Sequence, residues 1–402
     1  MSVATVVNAL LLLSSLAVAV PAAMLCLQVV AASRRRRPTR VVATLASPEG
    51  VVAVLMPAHD EADGIRAAIA AVTAQLRPGD RLLVVADNCS DATAAVAREA
   101  GAEVVERFDP GRRGKGYALD HGVRALEAAP PAAVVILDAD CILAPGALEH
   151  LRVRCLQHRG PVQALYLMHA PAGASRGVRV AEFAWRVKNK LRPVGSRVLG
   201  WPCQLMGTGM AFPWELLRHA PLASGHLVED MELGVQLAAS GHSPLFCEEA
   251  VVRSAFPSSS EAVRSQRTRW EHGHLSLITR AGPRLLGLGL LRGKPTLVAM
   301  AIDLMVPPLA ALALVLAALL AIDGAWWAAT GLAAPFAAAA AGTLLATVAV
   351  VTAWYQAGRD LVSAREMLYL PFYVAAKVPI YIRLFTRRQI EWVRTRRDGS
   401  AR

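Results

Sequence analysis

The chain has 402 residues, of which 54% are hydrophobic and 18% charged, and it carries a formal net charge of +12. So apolar a composition excludes a purely soluble globular protein and assigns part of the chain to lipid. The positive charge does not call for nucleic acid, because much of it sits in the clusters Arg34 to Arg37 and Arg383 to Arg402, which flank apolar segments and suit anionic headgroups.

From Val3 to Ala32 no side chain is charged, and Ser33 to Arg40 then supplies five arginines. A bilayer core needs ~20 apolar residues, so residues 1–40 are predicted to form a transmembrane anchor with a basic stop. The stretch AVAVPAA could pass for a signal-peptide cleavage site. A signal peptide, however, carries its basic residues ahead of the apolar run, and here they follow it. The positive-inside rule then places the N-terminus outside and the next residues in the cytoplasm. The six cysteines (Cys26, Cys89, Cys141, Cys155, Cys203, Cys247) form no CxxC pair. They suggest neither a zinc site nor a disulfide framework, which suits a reducing compartment.

Residues 41–280 read as a globular domain. The short apolar runs VVAVLM, RLLVVA and AAVVILD alternate with helical patterns over Asp63 to Gln75, Asp91 to Ala100 and Gly116 to Ala128. Strand and helix in alternation predict right-handed crossovers and a Rossmann-like α/β domain with a mostly parallel sheet. Ligands of such sheets collect at the carboxyl ends of the strands. Residues 281–402 read as a membrane region of two or three spans with a basic tail. Leu297 to Ile322 and Trp326 to Trp354 are the long apolar stretches, the second opening on a Trp pair that suits an interface. Met367 to Phe385 contains Lys377 and two prolines, and spanning, re-entrant and in-plane readings are all open to it.

Three apolar strands are predicted to end on acids. Asp138 and Asp140 close VVILDAD. Alternation along an extended segment turns both carboxylates the same way, where they could hold a divalent ion that grips a diphosphate. Asp87 closes LLVVAD at the same edge, placed for a nucleobase or ribose, and His59, Asp60 and Glu61 follow VVAVLMPA. In RRGKGYAL the glycines allow close backbone approach, and Lys115 can meet a phosphate as a point charge. The P-loop pattern fails there, since Gly116 stands where Ser or Thr is required. Glu229 and Asp230 open an apolar-periodic helix, a place that suits a helix cap and a rigid catalytic base equally. Gln266, Arg269 and Trp270 precede the membrane region, and by themselves they also fit a basic segment lying on headgroups. His272 and His274 fall on different faces of a helix and so do not form a metal site. Asp303, near the start of an apolar stretch, is either functional or a snorkelling interfacial acid.

In combination these motifs resemble the membrane-embedded family 2 glycosyltransferases, the group of cellulose, hyaluronan and chitin-oligosaccharide synthases. They occur in the family's order: Pro57 to Glu61, Asp87, Lys115, Asp138 with Asp140, the loop Gly207, Thr208 and Gly209, the pair Glu229 and Asp230, and Gln266, Arg269 and Trp270 as QxxRW. Two positions depart from the pattern, Asp60 where Asn is usual and Ala86 in place of the first acid of a common Asp-Asp pair. The resemblance implies a cytoplasmic GT-A domain that binds a nucleotide-diphosphate sugar, most often a UDP-sugar, with Mg²⁺ or Mn²⁺. It implies that Pro57, Glu61, Asp87, Lys115 and Asp138 bind the donor nucleotide, and that Asp138 and Asp140 hold the metal. Asp230, beside Glu229, would be the base of an inverting transfer. Gln266 and Arg269 would hold the diphosphate, and Trp270 with the Gly207 to Gly209 loop would receive the acceptor.

The leading expectation is therefore a multi-pass plasma-membrane enzyme that moves sugar to a glycan or lipid-linked acceptor at the cytoplasmic face. The small membrane region implies a partner subunit if a continuous polymer channel is to form. A glycolipid-forming transferase similar to ceramide glucosyltransferases is the nearest rival. A non-catalytic scaffold is opposed by the complete set Asp138, Asp140, Asp230 and Arg269.

Overall fold

The computed structural model describes residues 2–35, 50–225, 228–256 and 260–386, without the side chains of 260–267 and 383–386. Within these residues the chain forms two compact units. One is built from 50–171 and 202–273, the other from 2–35, 172–201 and 274–386.

The first unit is an eight-stranded sheet of β1 (Val52–Ala58), β2 (Arg81–Asp87), β3 (Glu103–Arg107), β4 (Ala133–Ile136), β5 (Ile142–Leu143), β6 (Val162–His169), β7 (Met210–Pro213) and β8 (Leu245–Ala255). Their order is β3-β2-β1-β4-β7-β6-β8-β5. β1, β2 and β4 are apolar almost without interruption and buried along their length, as strands covered on both faces must be. They pair in parallel with one another and with β3. The crossovers are the helices Ile65–Thr73, Thr93–Glu99 and Lys115–Leu126, close to the predicted limits.

The sheet is mixed rather than uniformly parallel. β7 enters between β4 and β6 antiparallel to both, with Val134 opposite Phe212 and Ile136 opposite Met210. A four-residue strand leaves no periodicity in the sequence by which to orient it. Leu55, Val85, Leu119, Leu126, Ile136 and Phe212 are core side chains at one face. Gly122 lets the helix Lys115–Leu126 lie directly on Leu55 and Val85, where a β-carbon would overlap both side chains. That close approach fixes the height at which Lys115, the first residue of the helix, meets the strand ends.

The second unit is helical. Val3–Ser33, Leu309–Thr330 and Ala334–Ala357 are long and apolar enough to cross a membrane. The apolar stretch expected over Leu297 to Ile322 is in fact two helices, Pro295–Leu304 and Leu309–Thr330. Pro307 and Pro308 lie between them, where a missing N–H and a fixed φ end one helix and start the next. Trp326 and Trp327 consequently close the helix Leu309–Thr330 instead of opening the following span. The segment left open in the sequence contains the short helices Leu370–Ala375 and Val378–Thr386. At 1.5 Å per residue neither reaches across a core roughly 30 Å thick.

Several polar groups buried in this unit are paired across helices. Gln28 Nε2 donates to Asp303 Oδ1 at 2.6 Å and to Ser196 Oγ at 2.9 Å. Arg192 bonds Asp303 Oδ1 at 2.8 Å and its main-chain carbonyl at 2.7 Å. Asp303 is 5% exposed, so it does not snorkel; a guanidinium and an amide reach it inside the bundle. Ser15 Oγ donates to the fully buried Asp323 at 2.6 Å. His274 bonds the Leu304 carbonyl at 3.0 Å, so its Nε2 carries the proton. Burial, then the nearby Lys188, holds its pKa down to about 3. The two groups among the described residues with metal-ligand spacing contain no histidine.

Candidate active site

The carboxyl ends of β1, β2 and β4 open on one edge of the sheet, where the chain leaves regular structure at His59, Asn88 and Leu137. β4 stops at Ile136, so Asp138 and Asp140 converge through a turn and not through strand alternation. Thr208 Oγ1 accepts the Asp138 N–H at 3.0 Å and holds that turn. One oxygen of Asp138, one of Asp140 and the Cys141 sulfur all lie within 4.8 Å of one another.

The donor set suits a hard divalent cation. Cys141 is buried, and burial, then Asp140 and Asp138, raise its thiol well above the ordinary range. It therefore stays neutral, leaving two carboxylates, the ligands that Mg²⁺ and Mn²⁺ prefer and that zinc sites built on thiolates do not.

Lys115 reaches into the same place. Its ammonium bonds Asp138 Oδ1 and donates to the Gly207 carbonyl at 2.6 Å. Gly207 has φ +86°, and a β-carbon on it would stand 3.3 Å from Asp230 Oδ2 and 3.7 Å from Lys115 Nζ. Gly209, φ +64°, completes the turn into β7. The helix Glu229–Ala239 opens on the acids Glu229 and Asp230, where the helix dipole favours negative charge.

These groups shift one another. Burial, then Asp230, pushes Glu229 up to about 7 against the pull of Lys115. Burial would lower the Lys115 pKa, but Asp138, Glu229 and Asp230 outweigh it, so the ammonium is held above its usual range. Asp138 is raised by burial and by Asp140, against Lys115. Arg269 is drawn down by burial while Glu229 and Asp138 oppose the shift, which brings its guanidinium within electrostatic reach of both acids. Arg269 and Trp270 are half-buried, whereas the side chain of Gln266 lies outside the described residues.

Asp87, Pro57 and Glu61 line the neighbouring strand ends. Asp87 is buried beside Arg107 of β3, its Oδ1 accepting from Arg107 Nη1 at 2.6 Å and from Asn88 Nδ2 at 3.0 Å. Pro57 sits in β1 opposite Val85, and the Glu61 N–H donates to Thr93 Oγ1 at 2.8 Å. Asp60, at φ +52°, accepts the Ser90 N–H at 2.6 Å, and Asp91 caps Thr93. These bonds give Asp60 and Asp91 a turn-forming role, although with Cys89 they too have metal-ligand spacing.

Two residues of this region are absent from the sequence-based set. Gln163, wholly buried on β6, accepts the Met206 N–H at 2.8 Å and donates to the Thr208 carbonyl at 2.9 Å. Its amide thus spans both sides of Gly207. A lone glutamine inside the apolar run VQALYLM is the signal that could have found it. Arg107 is the other; a charged strand end in EVVER resembles any solvated edge.

A sheet edge with paired acids, a lysine and a glycine turn suits a GT-A-type sugar transferase. Residues 48–273 match the family described as "Glycosyltransferase like family 2", and the chain belongs to it, as a nucleotide-sugar-dependent glycosyltransferase. It is 31% identical over 192 residues to uncharacterized glycosyltransferases of Mycobacterium tuberculosis (strain H37Rv) and Mycobacterium bovis, covering 44% of this chain and 82% of each relative. A solved mannosyltransferase from Pyrobaculum calidifontis, in complex with GDP-Man and Mn²⁺, superposes with a TM-score of 0.53 at 21% identity, over 86% of this chain and 98% of that one. At that identity the likeness bears on the fold alone.

Proposed function

We propose that this chain transfers a sugar, with inversion, from a nucleoside-diphosphate sugar to a glycan or lipid-linked acceptor at the cytoplasmic face of the membrane, with Asp230 as base. The observation that carries this reading is the meeting of Asp230, Lys115 and Asp138 around Gly207. A direct displacement needs a carboxylate at the acceptor and cations at the leaving diphosphate, and here Asp230 and Lys115, from two different helices, both stand beside Gly207.

In the proposed reaction the acceptor hydroxyl gives its proton to the Asp230 carboxylate as its oxygen bonds the anomeric carbon. The bond from that carbon to the diphosphate oxygen breaks, and the electron pair leaves with the nucleotide. Asp138 and Asp140 would hold Mg²⁺ or Mn²⁺, which supplies charge neutralisation at the diphosphate. Lys115 and Arg269 add fixed positive charge where negative charge develops. Glu229, with a pKa near 7, keeps a second carboxyl beside the base without adding a full charge at neutral pH. Trp270 offers an apolar face to the acceptor sugar.

Three apolar helices among the described residues are few for a polymer channel. They favour a glycolipid-forming version of the same reaction, or a partner subunit. The test is nucleotide release by the detergent-purified chain against UDP-, GDP- and dTDP-sugars with Mn²⁺ or Mg²⁺, beside Asp230→Asn. Metal-dependent release that disappears in the variant supports the transferase. No release from any donor, with membrane lipids and short glycans supplied, would favour a scaffold. Lipid extracts carrying a new sugar headgroup without polymer would select the glycolipid reaction.

A further inference from the structure

We propose that Arg107 selects the donor's base by occupying one oxygen of Asp87, so that the site accepts the single imide N–H of uracil or thymine and rejects guanine. The inference rests on the proposed use of a nucleoside-diphosphate donor and deepens it from the phosphates to the base.

Asp87 ends β2 at the ligand-bearing edge. Its Oδ1 accepts two hydrogen bonds, from Arg107 Nη1 at 2.6 Å and Asn88 Nδ2 at 3.0 Å, and its Oδ2 has no partner among the described residues. The pair is well buried, with side-chain exposures of 8% for Asp87 and 10% for Arg107. Neither donor is free to swing away. Asp109 takes the other guanidinium nitrogen at 3.1 Å, and the Tyr117 ring lies 5.5 Å from the guanidinium carbon. Asn88 is oriented by the Asp109 N–H, which donates to its Oδ1 at 2.8 Å. Behind the carboxylate, His59 Nδ1 donates to the Asp87 carbonyl at 2.7 Å.

The carboxylate therefore offers one oxygen to a ligand. Guanine presents two adjacent donors, N1–H and the 2-amino group, and a carboxylate reads them with both oxygens. Here the second oxygen already holds a guanidinium and an amide, so one guanine donor would lose water without gaining a partner. Uracil and thymine present one N–H between two carbonyls. One open oxygen serves that N–H, and neighbouring cationic and amide N–H groups complement a carbonyl. Leaving a buried donor unpaired is the kind of mismatch that separates ligands by factors of about 10 to 100.

The test is equilibrium binding of UDP, dTDP, CDP and GDP, with Mn²⁺, to the full-length chain in detergent, for the wild type, Arg107→Met and Arg107→Lys. The expected result is that wild type binds UDP or dTDP at least tenfold tighter than GDP. Arg107→Met should bind GDP more tightly than wild type does, narrowing that ratio at least tenfold, with Arg107→Lys between them. General damage to the fold weakens every nucleotide and cannot raise affinity for GDP. Should Arg107→Met fail to fold, the wild-type ratio and Arg107→Lys still decide. Wild-type preference for GDP or CDP, or a ratio unchanged in both variants, overturns the assignment of Arg107 while the transferase reading stands. Absence of Mn²⁺-dependent binding by all four nucleotides overturns both.

Discussion

Asp230 and Gly207 are in near contact, Oδ2 of the carboxylate lying 3.3 Å from the point where a β-carbon on Gly207 would stand. The turn that presents a carbonyl to Lys115 thus also sets the position of the proposed base. Gly207→Ala should add strain at φ +86°, costing about 1–3 kcal/mol, and displace Asp230. A fall in kcat of roughly 10- to 100-fold, with donor affinity little changed, is the expected kinetic signature. Nucleotide binding measured beside turnover separates the two.

Asp230→Asn keeps the shape of the side chain and removes its basicity. Transfer should drop by about 10²- to 10⁴-fold, while Mn²⁺-dependent binding of the nucleotide persists. Full activity in this variant would assign the base elsewhere, Glu229 being the first candidate.

Asp138→Asn and Asp140→Asn each remove one of the two carboxylates that suit a hard cation. Titration of Mn²⁺, followed by its electron paramagnetic resonance signal with UDP or GDP present, should show binding weakened at least tenfold in each variant. The proposed metal ligation would not survive unchanged binding in both.

Gln163→Leu should destabilise the sheet unit by leaving the Met206 N–H and the Thr208 carbonyl unpaired, at about 1–3 kcal/mol for each buried group. Gln163→Glu retains an acceptor for Met206, but an ionised carboxylate buried there would face the Thr208 carbonyl, so its loss of melting temperature relative to wild type should grow as pH rises and the carboxyl ionises.

Glu229 has its pKa raised in the folded chain from 4.5 to about 7, by burial and then by Asp230. Between those values the folded form holds more protons than the unfolded one, so stability should fall as pH rises from about 4.5 to 7. Glu229→Gln cannot ionise and should flatten the dependence across that window. Melting temperature against pH, for both proteins, measures it.

Much of this architecture was legible because charge interrupts apolar runs abruptly. Asp87 and Asp138 mark strand ends, Lys115 stands between glycines, and Glu229 with Asp230 opens an apolar-periodic helix. Local pattern could go no further than that. Alternation along β4 gave the right convergence of Asp138 and Asp140 for the wrong reason, since the turn held by Thr208 produces it. Arg107 and Gln163 act through partners 20 and 43 residues away, separations that leave no periodic trace. Pro307 and Pro308, by contrast, were in plain view, and the unbroken hydropathy around them concealed the helix end they impose.

The buried contact between Arg192 and Asp303 should order events during synthesis. Gln28 is made first and Arg192 later, and the carboxylate that completes the set follows 111 residues after the arginine. Until then a guanidinium destined for the interior of a helix bundle has no counter-charge there, and burying it alone would be strongly unfavourable. The helix that carries Arg192 should therefore dock only after Asp303 has left the ribosome, and a chain released before that residue should be recognised as unfinished by the quality control of the cell.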